Sequence, residues 1–122
     1  MKTTSVKAKH TTLTEILNGI VMQRLAITEP IRNFRRVLHR HLKRDDYIYL
    51  LSGEAILKVY DGKDYARIPM RQRGDVILVK KGIWHSYETG DVRAVILEAS
   101  SEPFDRNDAE EFQGAEPPIV EL

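Results

Sequence analysis

The feature that most constrains this 122-residue chain is the run RVLHRHLKRDDYIYLLSG at residues 36–53. It sets His39 and His41 two residues apart, follows them with Asp46 after a short polar stretch, and closes an apolar run on Gly53. Successive side chains of a β-strand point to opposite faces, so in an extended run the two histidines share one face. A second run, GDVILVKKGIWHSYET at residues 74–89, supplies His85 just past a Lys81-Gly82 turn. Three imidazoles and a carboxylate from two strand pairs can converge on one cation. The chain has no cysteine, so such a site would use nitrogen and oxygen donors alone.

These two runs resemble the two motifs of the cupins, a superfamily of small conserved barrels. His39, His41, Asp46 and Gly53 fill the first motif, and Gly74, Gly82 and His85 fill three of the five positions of the second. The chain departs from the pattern at Asp46, Lys80 and Thr89, where glutamate, proline and asparagine are usual. The resemblance covers roughly residues 21–99 and implies an all-β fold, a cupin-type jelly-roll β-barrel (double-stranded β-helix). It also implies one divalent transition metal (Fe, Mn, Ni, Zn or Cu) held by His39, His41, Asp46 and His85. Aspartate is a methylene shorter than glutamate. Should Asp46 fall short, three histidines remain with open coordination positions.

The segments RRVLH, GIWHSYE and EASSEPFDRND are further similar to those of the sugar-nucleotide 3,5-epimerases and their small relatives, which carry an arginine, a spacer, leucine and histidine at the first site. By that resemblance His39 is the base that removes a proton next to a ketone. Tyr87 shares strand parity with His85, which makes it the second catalytic candidate, a phenol facing the cavity as acid or base. The plainer reading of an inward tyrosine is core packing with a hydrogen-bonded tip. Arg35 shares parity with His39 and is the candidate for substrate binding, able to hold a carboxylate or phosphate bidentately at the cavity mouth. The alternative for Arg35 is an ion pair at the barrel rim.

Short strands separated by turn signals argue for an all-β barrel without the resemblance. They are expected over residues 21–27, 34–43, 47–51, 54–60, 67–70, 76–79, 84–88 and 92–98, with Asp61-Gly62 as a hairpin turn. Leu13, Ile16, Leu17 and Ile20 recur at helical spacing, so a short helix or turn is expected over residues 12–20. The chain divides into an N-terminal arm (1–20), the barrel (21–99) and an irregular acidic C-terminal tail (100–122), all in one domain. Ile48 and Leu50 share one face of their strand while Tyr47, Tyr49 and Leu51 share the other. Two apolar faces on one strand lead to the expectation of a homodimer.

Nineteen basic against eighteen acidic residues leave a net charge of +1, which gives no general attraction to nucleic acid or to anionic membrane. Arg32, Arg35, Arg36, Arg40, Lys43 and Arg44 cluster, yet only Phe34 is near them to stack a base, so a nucleic-acid partner is not expected. No apolar run approaches the roughly 18 residues of a membrane span, and the N-terminus lacks the apolar centre of a secretory signal. The expected location is the cytoplasm, and the expected partner is a small molecule. The leading function is a metal-binding cupin enzyme that isomerises or epimerises a small oxygen-rich substrate through an enolate. An Fe(II)-dependent dioxygenase and a non-catalytic ligand-binding cupin are the alternatives.

Overall fold

The computed structural model describes residues 6–10, 24–28, 30–102, 105 and 107–115. Ten strands follow in order: β1 (Val6–His10), β2 (Arg24–Ile27), β3 (His39–His41), β4 (Asp46–Ser52), β5 (Ala55–Tyr60), β6 (Tyr65–Met70), β7 (Asp75–Val79), β8 (Trp84–Glu88), β9 (Val95–Ser100) and β10 (Ala109–Glu111). They form two five-stranded sheets, β1-β7-β4-β9-β2 and β10-β3-β8-β5-β6, and every strand pairing is antiparallel. This is the expected jelly-roll barrel, and the described residues contain no helix. The helix expected over residues 12–20 lies outside the described residues.

The barrel interior is filled from both sheets. Ile48 and Leu50 of β4, Leu57 and Val59 of β5, and Ile77 and Val79 of β7 are almost wholly buried there, together with Met70 and Ile96. Alternation puts the other face of β4 outside the barrel, where Tyr49 packs with Val76, Leu97 and Ala99, flanked by Tyr47 and Leu51. The two apolar faces read from the sequence are therefore both present. The outer one is already buried within the chain, with Tyr49 at 6% and Leu97 at 2% exposure, so it does not by itself call for a second copy.

Two expectations need correction. The strand expected over residues 34–43 is regular only at His39–His41, because residues 33–36 leave the ladder and run past the end of β8. There Asn33 N–H donates to Gly90 O (2.8 Å), and Thr89 N–H donates to Phe34 O (3.0 Å) while its Oγ1 accepts from Phe34 N–H (3.1 Å). The divisions at residues 20 and 99 also do not coincide with the sheet ends. The arm contributes β1, which pairs with β7, and the tail contributes β10, which pairs with β3. The polar sequence of β10 hides it, since its three residues are all exposed and carry no apolar alternation.

The motif glycines mark tight backbone. Gly53 turns β4 into β5 with φ +79°, and a Cβ there would meet Arg93 O at 1.8 Å and Ala94 Cα at 2.8 Å. Gly82 has φ +86° but open space around it. Gly53→Ala is therefore expected to lose on the order of 2–4 kcal/mol, against about 1 kcal/mol for Gly82→Ala, whose cost is the left-handed backbone alone. Urea unfolding of the two variants checks this, and equal losses would contradict it.

Candidate active site

β3 enters the barrel with alternating side chains. His39 and His41 point inward, each 8% exposed, while Arg40 points out, lies 4.4 Å over the Trp84 ring and pairs with Glu110 at 3.0 Å. β8 lies beside β3 with His39 opposite His85, and that register delivers the third imidazole. Two contacts between turns fix the approach: Gly82 N–H donates to His41 O (2.7 Å), and Lys81 N–H to Asp45 Oδ1 (2.8 Å). The ring centroids lie 4.5 Å (His39–His85), 5.3 Å (His39–His41) and 5.5 Å (His41–His85) apart, and one nitrogen from each ring falls within 4.8 Å of the others.

The hydrogen bonds assign protons. A carbonyl only accepts, so the 2.9 Å contact of His85 Nδ1 with Ile83 O places the proton on Nδ1. Nε2 of His85 is then a lone pair, buried without a hydrogen-bond partner, and His39 Nδ1 is likewise buried without one. His41 is different. A buried guanidinium, Arg44, donates from Nη2 to His41 Nε2 at 3.1 Å, and its Nε lies 3.2 Å from Asp46 Oδ1. Asp46 is 1% exposed and its other oxygen lies 3.5 Å from His41 Nε2. On the far side of the ring, Asp108 Oδ2 is 3.6 Å from Nδ1, while Asp108 Oδ1 accepts from the Leu42 and Lys43 amides (2.9 and 2.6 Å).

Burial dominates the protonation equilibria. It lowers His39 to about 3, helped by His85, Arg36 and His41, and lowers His41 to about 4, with Arg44 adding to the effect and Asp46 and Asp108 opposing it. His85 is lowered too, chiefly by burial. All three rings are thus neutral near pH 7. Burial and the nearby Glu98 push the Tyr87 phenol up to about 12, so it keeps its proton.

By donor type the three neutral histidines suit a divalent transition metal. The arrangement around them does not. The Nε2 lone pair of His41 is taken by Arg44, the Asp46 carboxylate is paired with the same guanidinium, and Asp46 lies outside the set of converging donor atoms. Asp46, expected as a ligand, lies beside Arg44 in this arrangement.

Tyr87 lines a narrow cavity of about 40 Å³ together with His39, His85, Arg36 and Glu98. Its ring packs edge-on to Phe34 at 5.4 Å. Arg35 is elsewhere. Residue 35 lies outside the regular strand, so strand parity does not carry Arg35 inward. Its side chain is 77% exposed, lies 3.9 Å from Glu88, and borders a separate groove of about 500 Å³ that also takes in Arg67 and Arg71. Trp84 is a packing residue, edge-on to Phe112 at 5.1 Å. The sequence reading missed Arg44, Asp108 and Glu98. Arg44 looked like one more surface cation, and Asp108 sits in an acidic tail with no strand pattern.

Neutral, buried rings make stability depend on pH. Between about pH 3 and pH 6.5 the unfolded chain binds protons at His39 that the folded chain does not, so stability rises with pH across that window and falls on acidification. Moving from pH 7 to pH 5 costs about 2 kcal/mol through His39. The urea midpoint of the wild type is expected to fall over this range, and that of His39→Gln to fall less. Parallel falls in the two proteins would contradict the assignment.

A family model described as "FdtA: WxcM-like, C-terminal" matches residues 24–114. No curated protein matches the chain. Several solved structures share the fold. The 3,4-ketoisomerase QdtA from Thermoanaerobacterium thermosaccharolyticum, solved as a mutant with TDP-4-keto-6-deoxyglucose, superposes with a TM-score of 0.75 at 14% identity, covering 89% of this chain and 88% of that one. The WlaRB TDP-quinovose 3,4-ketoisomerase from Campylobacter jejuni gives 0.67 at 22% identity, covering 76% and 72%. The rmlC epimerase of Mycobacterium tuberculosis gives 0.67 at 14% identity, covering 80% of this chain but 56% of that one. With the two cupin motifs joined in one jelly-roll barrel and the family match running from β2 past β10, the chain belongs to the FdtA family of WxcM-like C-terminal domains.

Proposed function

We propose that this protein is a sugar isomerase or epimerase that moves a proton at the carbon beside a ketone of a nucleotide-linked sugar. The observation that carries this reading is the pair of groups lining one cavity: a neutral His39 and a protonated Tyr87. His39 lines this cavity as a neutral ring and serves as the base through a ring nitrogen turned to the substrate. It takes the proton from the carbon next to the ketone, while the phenol donates to the carbonyl oxygen as negative charge develops there. Delivery of a proton to the former carbonyl carbon, with loss of the O–H proton from the neighbouring enediol oxygen, moves the ketone to that neighbouring carbon. Return of the proton to the opposite face instead gives an epimer. Both outcomes are isomers of the substrate, so no oxidant or reductant is consumed.

Family membership and the TDP-sugar substrates named for the similar structures support the substrate class. A cavity of about 40 Å³ has room for little more than a water, so the sugar ring enters only as the side chains at its edge, Phe34 and Arg36, move aside. A dioxygenase reading is weaker, because it needs a metal-ligating carboxylate and Asp46 is committed to Arg44.

The test uses TDP-4-keto-6-deoxyglucose, followed by proton NMR. Conversion to an isomeric keto sugar is expected. His39→Gln should lower kcat by about 10²- to 10⁴-fold, and Tyr87→Phe by at least about tenfold with KM little changed. Full rates in either variant would overturn its role. Tight binding of the nucleotide sugar without turnover would favour the non-catalytic reading.

A further inference from the structure

Arg44 is the most unusual side chain in the site. It sits three residues after His41 in the turn between β3 and β4, is 9% exposed, and lies against His41 and Asp46. We propose that the guanidinium of Arg44 is a built-in cation that closes the three-histidine cluster against divalent metal, by holding the Nε2 lone pair of His41 and the carboxylate of Asp46. This inference concerns the metal and goes beyond the acid–base reading, on which it does not rest.

The argument starts from what arginine can do. A guanidinium has donors only and stays charged in proteins. Its 3.1 Å contact with His41 Nε2 therefore requires that nitrogen to accept, which leaves the ring proton on Nδ1. Nδ1 in turn faces a carboxylate oxygen of Asp108 at 3.6 Å, the side on which a proton is welcome. Neither nitrogen of His41 then offers a lone pair to a metal. To ligate through Nε2, an ion would have to displace the guanidinium nitrogen and leave Arg44 buried beside a second cation.

Asp46 closes the other route. In the cupin pattern its position supplies the acidic ligand, yet here the carboxylate is 3.2 Å from Arg44 Nε and almost wholly buried. Freeing it would break a buried ion pair, a loss on the scale that large destabilising mutations show. The two remaining histidines, His39 and His85, keep unpartnered nitrogens, but two neutral imidazoles alone make a poor site.

Cobalt(II) titration followed by its visible absorption tests the proposal at pH 7, on wild type, Arg44→Met, and the charge-balanced pair Arg44→Met with Asp46→Asn. The wild type is expected to show no ligand-field band at metal concentrations where Arg44→Met binds one equivalent, a gain of at least about tenfold. Adding His41→Gln to Arg44→Met should abolish the gain. If Arg44→Met does not fold, the charge-balanced variant carries the same expectation. Independently, nitrogen-15 NMR of the wild-type histidines should show His41 as the Nδ1–H tautomer, unchanged by added zinc. Stoichiometric cobalt in the wild type, equal affinity in the folded variants, or an Nε2–H tautomer at His41 would each overturn it.

Discussion

The site depends on one backbone constraint, the antiparallel pairing of β3 with β8. It sets His39 directly opposite His85, so two motifs far apart in sequence meet inside the barrel. The rest of the geometry follows from this register. A slip of one residue would turn His39 and His41 to the outer face and bring Arg40 inside. The hydrogen bonds from Gly82 and Lys81 to His41 and Asp45 hold the two turns together and prevent that slip. On the other side of β3, β10 adds a third strand, and Phe112 N–H donates to Leu38 O at 2.8 Å.

Within this frame, charge is divided unevenly. Three imidazoles stay neutral because burial penalises their cationic forms, while the Arg44 guanidinium and the carboxyl groups of Asp46 and Asp108 lie beside them. Arg44, Asp46 and Asp108 gather around His41, and the neutral His39 and Tyr87 line the cavity. Two histidines that look equivalent in sequence thus have different surroundings. His41 has Arg44 against its Nε2, whereas His39 lines the cavity beside Tyr87.

Most of the architecture was legible in the sequence, because short apolar runs are separated by turns that carry glycine. Seven of the expected strand positions overlap β2 and β4 to β9, and the histidine convergence followed from strand parity and motif spacing. Parity failed at Arg35 for a local reason: residues 33–36 bond to the end of β8 outside the regular ladder. It failed for β10 because an edge strand of exposed polar residues has no apolar period. Asp46 was read as an acid of the site, and the structure sets it beside Arg44. Which cation a buried carboxylate meets depends on a side chain folding back from a turn, and no periodicity reports that.

The central claim is that this barrel removes and returns a proton at the carbon beside a ketone. Wash-in of solvent deuterium tests it most directly. The protein is incubated with TDP-4-keto-6-deoxyglucose in deuterium oxide, and the carbon-bound protons next to the ketone are followed by NMR. The account predicts enzyme-dependent loss of one such proton signal, at a rate at least as fast as product appears. Product formed without solvent exchange, or bound sugar nucleotide whose protons exchange no faster than in the protein-free control, would contradict it.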